Sequence, residues 1–416
     1  KYAKAVVSEM GKMALVTADF RRAANYFETY SQKYPLDNES KNLMKSAANM
    51  RENMGDYDEA KKDYTFLGER QKVAEMDYLA ANWAGLERSA GQLGNTLEGN
   101  YYSGLAKYRR GDFNSAKPFF QQAARQNGRG FNEQQMAAHS LFLLSADALR
   151  SFKRVQMQAG SEAQSIQIKN QQLAGLTSQL NTVIKFGNGK WTIASLYALG
   201  QSNVEFASFI KNAPIPNGLS GAQVQQYKSA LSTQAKQYEV AANNYFKQCV
   251  QNAEKFEVFT VFVKGCLSGG EVEVDEEKDS VRPPKASSSS PTAAAQIRLK
   301  LYDDSRNTKL LQSLALAHTK NRDYAMSNLI LSRAYEINPK DSNLISLQGV
   351  NYLHMNDFES AKVAFDKALK QNPSDGYALK GRAALYKQFK FSNKLKGVAA
   401  KAGRASVARE WLHPWM

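Results

Sequence analysis

The sequence predicts an all-α chain of stacked helix pairs, and three observations carry that expectation. Helical periodicity runs through most of the 416 residues. A short string, Asp-aromatic-x-x-Ala/Ser, recurs between amphipathic runs: Asp19-Phe20 with Ala23, Asp56-Tyr57 with Ala60, Asp112-Phe113 with Ala116, Asp323-Tyr324 with Ser327, and Asp357-Phe358 with Ala361. In the last two copies the spacing is strict, because Asp323 and Asp357 lie 34 residues apart, as do Pro339 and Pro373. The string has a physical reading. The Asp accepts backbone N–H bonds at the start of a second helix, the aromatic covers the turn, and the small residue lets two helix backbones approach.

Composition sets the outer limits. With 43% hydrophobic and 11% aromatic residues the chain can bury a sizeable core over two or three domains, which rules out global disorder. The balance of 55 Lys+Arg against 39 Asp+Glu gives +16 and favours acidic partners. No apolar run approaches the roughly 18 residues of a membrane helix; the longest candidate is 258–263. The sequence begins at Lys1 without a basic-then-apolar leader, which reads as a mature form or a cut-down chain.

Chemistry is hard to place. Two cysteines and the scattered His139, His318, His354 and His413 have no ligand-like spacing, so neither a metal nor a cofactor is expected. Gly187-Asn188-Gly189-Lys190-Trp191-Thr192 lacks the first Gly of a phosphate loop and the Ser/Thr directly after its Lys, and reads as a turn. There is no HExxH and no GxSxG. The expectation is a protein that is not an enzyme.

The 34-residue period resembles the tetratricopeptide repeat. Within 342–373, Ile345, Gly349, Tyr352, Ala361, Phe365, Ala368 and Pro373 match its pattern positions. The preceding copy carries Leu311, Leu314, Ala315, Ser327, Leu331, Ala334 and Pro339, with His318 where the pattern has Tyr. A third pair starts at Gly376 with Leu379, Ala383 and Tyr386 and then departs from the pattern, as a capping repeat does. Looser copies hold Gly11, Ala23, Phe27 and Pro35; Gly55, Ala60 and Tyr64; and Gly104, Gly111, Ala116, Phe120 and Ala123. Residues 23–35 resemble a variant found in periplasmic tetratricopeptide proteins, including outer-membrane assembly lipoproteins, and 190–250 resemble large tetratricopeptide proteins of gliding and predatory Gram-negative bacteria. The resemblance implies an elongated two-block α-solenoid serving as a non-enzymatic scaffold or adaptor in a cell-envelope complex of the gliding-motility kind, periplasmic or on the outer membrane. The alternative is a cytoplasmic peptide-binding regulator or co-chaperone-like module.

The chain divides into repeats at 1–131, an irregular helical region at 132–267, an acidic, Pro- and Ser-rich linker at 268–296, repeats with a capping pair at 297–395, and a basic tail at 396–416. In the irregular region periodicity predicts helices over 136–152, 165–186, 192–210 and 222–249, with a break at 213–220 and a capping box formed by Ser220 and Gln223. By the resemblance, first-helix positions line a concave groove. These are Lys309, Gln312, Leu316 and Thr319; Asn343, Ser346, Val350 and Leu353; and Glu98, Tyr101, Leu105 and Tyr108. Such a face suits an extended peptide or an amphipathic helix, unless another helix of the chain fills it.

Residues 376–416 hold nine cations, among them Lys380, Arg382, Lys387, Lys390, Lys394 and Lys396, against Glu410 alone. This reads as a patch for an acidic peptide, an acidic protein face or anionic headgroups, or as a solvated face. Peripheral membrane association would run through this tail or a preceding segment. Helix packing explains the interleaved Tyr377, Tyr386, Phe389 and Phe391, and no nucleic-acid-binding string is present, which argues against that partner. Cys249 and Cys266 are either a disulfide of an oxidising compartment or two buried thiols. A regular helical hairpin turning near Asn252 would leave Cys266 about three turns beyond Cys249.

Overall fold

The computed structural model describes residues 2–126, 130–269 and 291–416. Among these the regular elements are all helical, and the protein is an all-α helical-repeat fold. Two compact units are present.

The first unit opens with α1 (Tyr2–Val16), α2 (Phe20–Lys33), α3 (Ser40–Met54), α4 (Tyr57–Leu67), α5 (Arg70–Leu79) and α6 (Trp83–Gly91). The second holds α7 (Leu97–Arg109), α8 (Phe113–Arg125), α9 (Phe131–Arg154), α10 (Glu162–Lys185), α11 (Gly189–Lys211), α12 (Gly221–Phe256) and α13 (Val261–Ser268). The first unit is completed by α14 (Thr292–Asp303), α15 (Thr308–Lys320), α16 (Tyr324–Ile337), α17 (Ser342–His354), α18 (Phe358–Gln371), α19 (Gly376–Gln388) and α20 (Ser392–Arg404), with a 3-10 turn at Arg409–Trp411. The repeat at 97–125 therefore packs with the irregular helices, while the earlier repeats share a unit with the C-terminal ones. Most of the expected linker, 270–290, lies outside the described residues.

One turn recurs between paired helices. The residue before each repeat Asp adopts a left-handed conformation: Ala18, Gly55, Gly111, Arg322 and Asn356 all have positive φ. The Asp N–H then reaches back to the carbonyl five residues earlier, as in Asp112 to Lys107 at 3.0 Å and Asp357 to Tyr352 at 2.9 Å. This is a Schellman closure that satisfies a carbonyl left over by the first helix. The side chains divide into two groups. Asp112 and Asp357 accept from Ser115 N and Ser360 N, each at 3.0 Å. Asp19, Asp56 and Asp323 do not cap. Charged or ring neighbours compete for two of these: Arg51 lies 3.2 Å from Asp56, and His318 Nδ1 lies 3.1 Å from Asp323.

A second contact locks three of the pairs. A Cβ on Gly11 would fall 2.5 Å from the Phe27 ring, on Gly104 2.6 Å from Phe120, and on Gly349 2.5 Å from Phe365. Only glycine lets the aromatic of the second helix lie on the first helix's backbone. The same contact joins α11 to α12, where a Cβ on Gly200 would fall 2.3 Å from Phe246.

In the second unit the break at 213–220 forms, and Ser220 and Gln223 make the reciprocal capping box. Gly187 has positive φ and Asn188 caps α11 through Trp191 N. Lys169 is fully buried, yet its ammonium is 2.9 Å from Glu205, 3.3 Å from the Val155 carbonyl and over the Phe209 ring, so the charge is paired. Cys249 and Cys266 form a disulfide with Cα atoms 6.3 Å apart. Helix α12 runs past Asn252 and turns at Glu257, which has positive φ and lies midway between the cysteines. That later turn brings them level.

Candidate partner-binding groove

Helices α15, α17 and α19 are the first helices of three successive pairs. Of the side chains expected on their groove face, Lys309 and Asn343 are exposed, Gln312 and Leu316 are half-buried, and Ser346, Val350 and Leu353 are buried. Thr319 belongs to a buried polar network instead. Its hydroxyl lies 2.9 Å from both Ser327 Oγ and Asn351 Oδ1, and Asn351 Nδ2 donates to Ser327 and Asn328.

A segment of the same chain, 405–416, touches all three first helices. Ala405, Ser406 and Val407 lie against Gly376 at the start of α19. Tyr377 hydroxyl accepts from Ala408 N at 3.1 Å. The 3-10 turn packs on α15, and Trp411 is 94% buried, being only 6% exposed. The His413 ring meets His354 of α17 with centroids 4.6 Å apart, and His354 stacks on Tyr324 at 4.8 Å. Trp415 stacks on Phe358 at 5.4 Å. Ala405, Ala408 and Leu412 have φ near −70° and ψ of 126° to 134°, the extended polyproline-like backbone that peptide grooves commonly take.

Burial sets the electrostatics here. It lowers the His354 pKa, and burial together with the neighbouring His354 pushes His413 down to about 4. Burial also raises the Tyr377 hydroxyl.

The repeat at 97–125 has its face filled from within. Tyr101 and Leu105 are buried, and Tyr101 hydroxyl lies 2.8 Å from His139 Nδ1 on α9. His139 in turn stacks on Trp191 at 4.1 Å. Tyr108 is half-buried edge-on to Phe113 and Phe120, with the Arg150 guanidinium over its ring. Glu98 is half-buried.

The cations expected as a patch split by role. Lys387, Lys390 and Lys396 are exposed, and Lys380 and Lys394 are half-buried. Arg382 is turned inward: it pairs with Asp366 of α18, bonds the Tyr386 hydroxyl, and lies 5.0 Å from that ring. Sequence reasoning missed Tyr324, His354, Tyr377, Trp411, His413 and Trp415 as one cluster. The available signal was the aromatic spacing of Trp411, His413 and Trp415 just after the cationic run.

Residues 345–375 match the tetratricopeptide repeat family. The chain carries a tetratricopeptide repeat. It is similar to the crystal structure of the APC/C hetero-tetramer Cut9-Hcn1, at 14% identity over 97% of this chain and 87% of that one, with a TM-score of 0.25. It is similar also to yeast Tom70, at 10% identity over 98% and 93% with a TM-score of 0.25, and to the P58(IPK) TPR domain, at 14% identity over 98% and 95% with a TM-score of 0.21. No curated protein sequence matches.

Proposed function

We propose that the chain is a non-enzymatic scaffold whose C-terminal repeats bind protein partners as extended segments. The observation that carries this reading is that α15, α17 and α19 all touch one non-α-helical stretch of polypeptide: the 3-10 turn packs on α15, His413 meets His354 of α17 edge-on, and the Tyr377 hydroxyl of α19 takes the Ala408 N–H. The exposed Lys387, Lys390 and Lys396 on α19, on α20 and between them favour a partner with an acidic face, through steering that weakens with salt. We place the protein in a Gram-negative envelope assembly, of the gliding-machinery kind. The Cys249–Cys266 disulfide supports an oxidising compartment, and the 23–35 segment resembles periplasmic repeats.

The test is a salt-graded pull-down from envelope and soluble fractions with the full chain and its Lys387→Glu/Lys390→Glu/Lys396→Glu variant, read by mass spectrometry. Recovery of envelope proteins, weakened by the variant at low salt and converging with it at high salt, is the expected result. Recovery of cytosolic chaperones or signalling proteins alone would move the protein to the cytoplasmic regulator class.

A further inference from the structure

The geometry points to a pH-sensitive plug: residues 405–416 occupy the C-terminal groove as an intramolecular ligand, and an extended peptide with two similarly spaced aromatic anchors displaces them. This rests on the groove reading above and adds what competes there and what releases it.

Three features set this segment apart from a packed terminal helix. It carries no α-helix of its own and crosses the first helices of three successive pairs, whereas α20 packs against α19 as its paired second helix. Its anchors are side chains in the manner of a bound peptide: Trp411 buried, Trp415 stacked on Phe358, His413 against His354, with the Tyr377 hydroxyl taking the backbone N–H of Ala408. On either side of the 3-10 turn, Ala405, Ala408 and Leu412 have polyproline-like dihedrals, which lower the ordering cost of binding. A displacing partner is therefore an extended segment bearing two aromatic side chains at the spacing of Trp411 and Trp415. Its occupancy is set by competition with a tethered ligand at high effective concentration.

Release follows from the histidine pair. His413 meets His354 on α17 and Trp415 in the segment itself, with Tyr324 on α16 behind His354 and Phe358 on α18 behind Trp415. Tyr377 on α19 and Glu410 lie farther along the segment. Among the described residues no carboxylate lies against either imidazole to hold a proton there. His413 Nδ1 accepts from Trp415 N at 3.1 Å, which requires that nitrogen to be unprotonated. Both histidines have docked pKa values below the free value of 6.5. Docking is then fully favoured above about pH 6.5 and weakens as pH falls from there toward about 4, because the released state, with His413 in the segment and His354 on α17 both exposed, binds the extra protons.

The test uses the full chain and a fluorescein-labelled peptide with the sequence of residues 405–416. At pH 7.5 the unaltered chain should bind the peptide poorly. The Trp411→Ala/Trp415→Ala chain, its groove vacated, should bind at least tenfold tighter by fluorescence anisotropy. Hydrogen exchange of residues 405–416 in the unaltered chain, corrected for its intrinsic pH dependence, should speed up on the order of tenfold between pH 7.5 and 5, and His354→Gln/His413→Gln should remove that change. Equal peptide affinity for the unaltered and double-Trp chains overturns the plug. A pH-independent exchange rate overturns the release mechanism. The double-Trp chain is also run in the pull-down: recovery of envelope partners without any gain in peptide binding sinks the plug alone and leaves the scaffold reading standing, and loss of all partner recovery by both chains sinks that reading too.

Discussion

In the α17–α18 pair a glycine meets a phenylalanine sixteen residues on, Gly349 against Phe365; in α11–α12 the same contact joins Gly200 to Phe246 across much longer helices. The regular pair also has the Schellman turn at Asn356 and the Asp357 cap. The longer pair replaces both with the loop after Asn212 and the Ser220 capping box, and adds the Cys249–Cys266 disulfide where α12 meets α13. The comparison teaches that the close helix approach, and not the repeat length, is what the two regions share. Once the glycine–aromatic contact is in place, the connection can lengthen, since loop closure grows costly only slowly with length.

The comparison can be broken at the aromatic. Phe365 and Phe246 are fully and almost fully buried, so Phe365→Ala and Phe246→Ala should each cost about 3–5 kcal/mol in chemical denaturation. A cost for Phe246→Ala several-fold below that for Phe365→Ala would show that the longer pair is held by something else. The disulfide distinguishes the regions next. Cys249→Ser/Cys266→Ser opens a bridge of sequence separation 17 and should lower the stability of the α11–α13 region by about 3 kcal/mol, leaving hydrogen exchange in α15–α19 unchanged.

Smaller effects sharpen the picture. Gly349→Ala and Gly200→Ala each place a Cβ inside the partner ring's radius, and the ring must move; after the helix-propensity gain of alanine the net loss should be about 1–2 kcal/mol by thermal unfolding. Arg322→Gly relieves a left-handed residue in a regular turn, and Glu257→Gly does the same after α12. Both should stabilise by roughly 0.5 kcal/mol, with the relief of left-handed strain partly offset by glycine's greater freedom when unfolded.

Much of the fold was legible in the sequence because it is written locally. Asp-aromatic strings, the glycines and phenylalanines at repeat-pattern positions, and the Ser220–Gln223 box all act within one helix pair, where periodicity reports packing directly. The groove was legible only as a set of positions. Pattern places Ser346, Val350 and Leu353 on a first-helix face, but whether that face is open depends on residues far along the chain. Arg382 shows the same limit: in sequence it is one more cation, and only the fold reveals Asp366 and Tyr386 waiting for it. The cysteines turned on where the chain reverses: the apolar, β-branched run at 256–263 is where a regular hairpin could break, and the reversal falls at Glu257 within it and not at Asn252, while its left-handed conformation has no glycine or asparagine to announce it.

The central claim is that the C-terminal repeats hold residues 405–416 as a bound segment. Hydrogen–deuterium exchange of the full chain at pH 7.5, followed through the peptides that cover Ala408 to Trp415, tests it most directly. The account predicts slowed exchange at Ala408, whose N–H is held by the Tyr377 hydroxyl, and at Trp415, whose N–H is held by His413, with Tyr377→Phe releasing the first and not the second. Exchange at the rate of an unstructured peptide across the whole segment would contradict it.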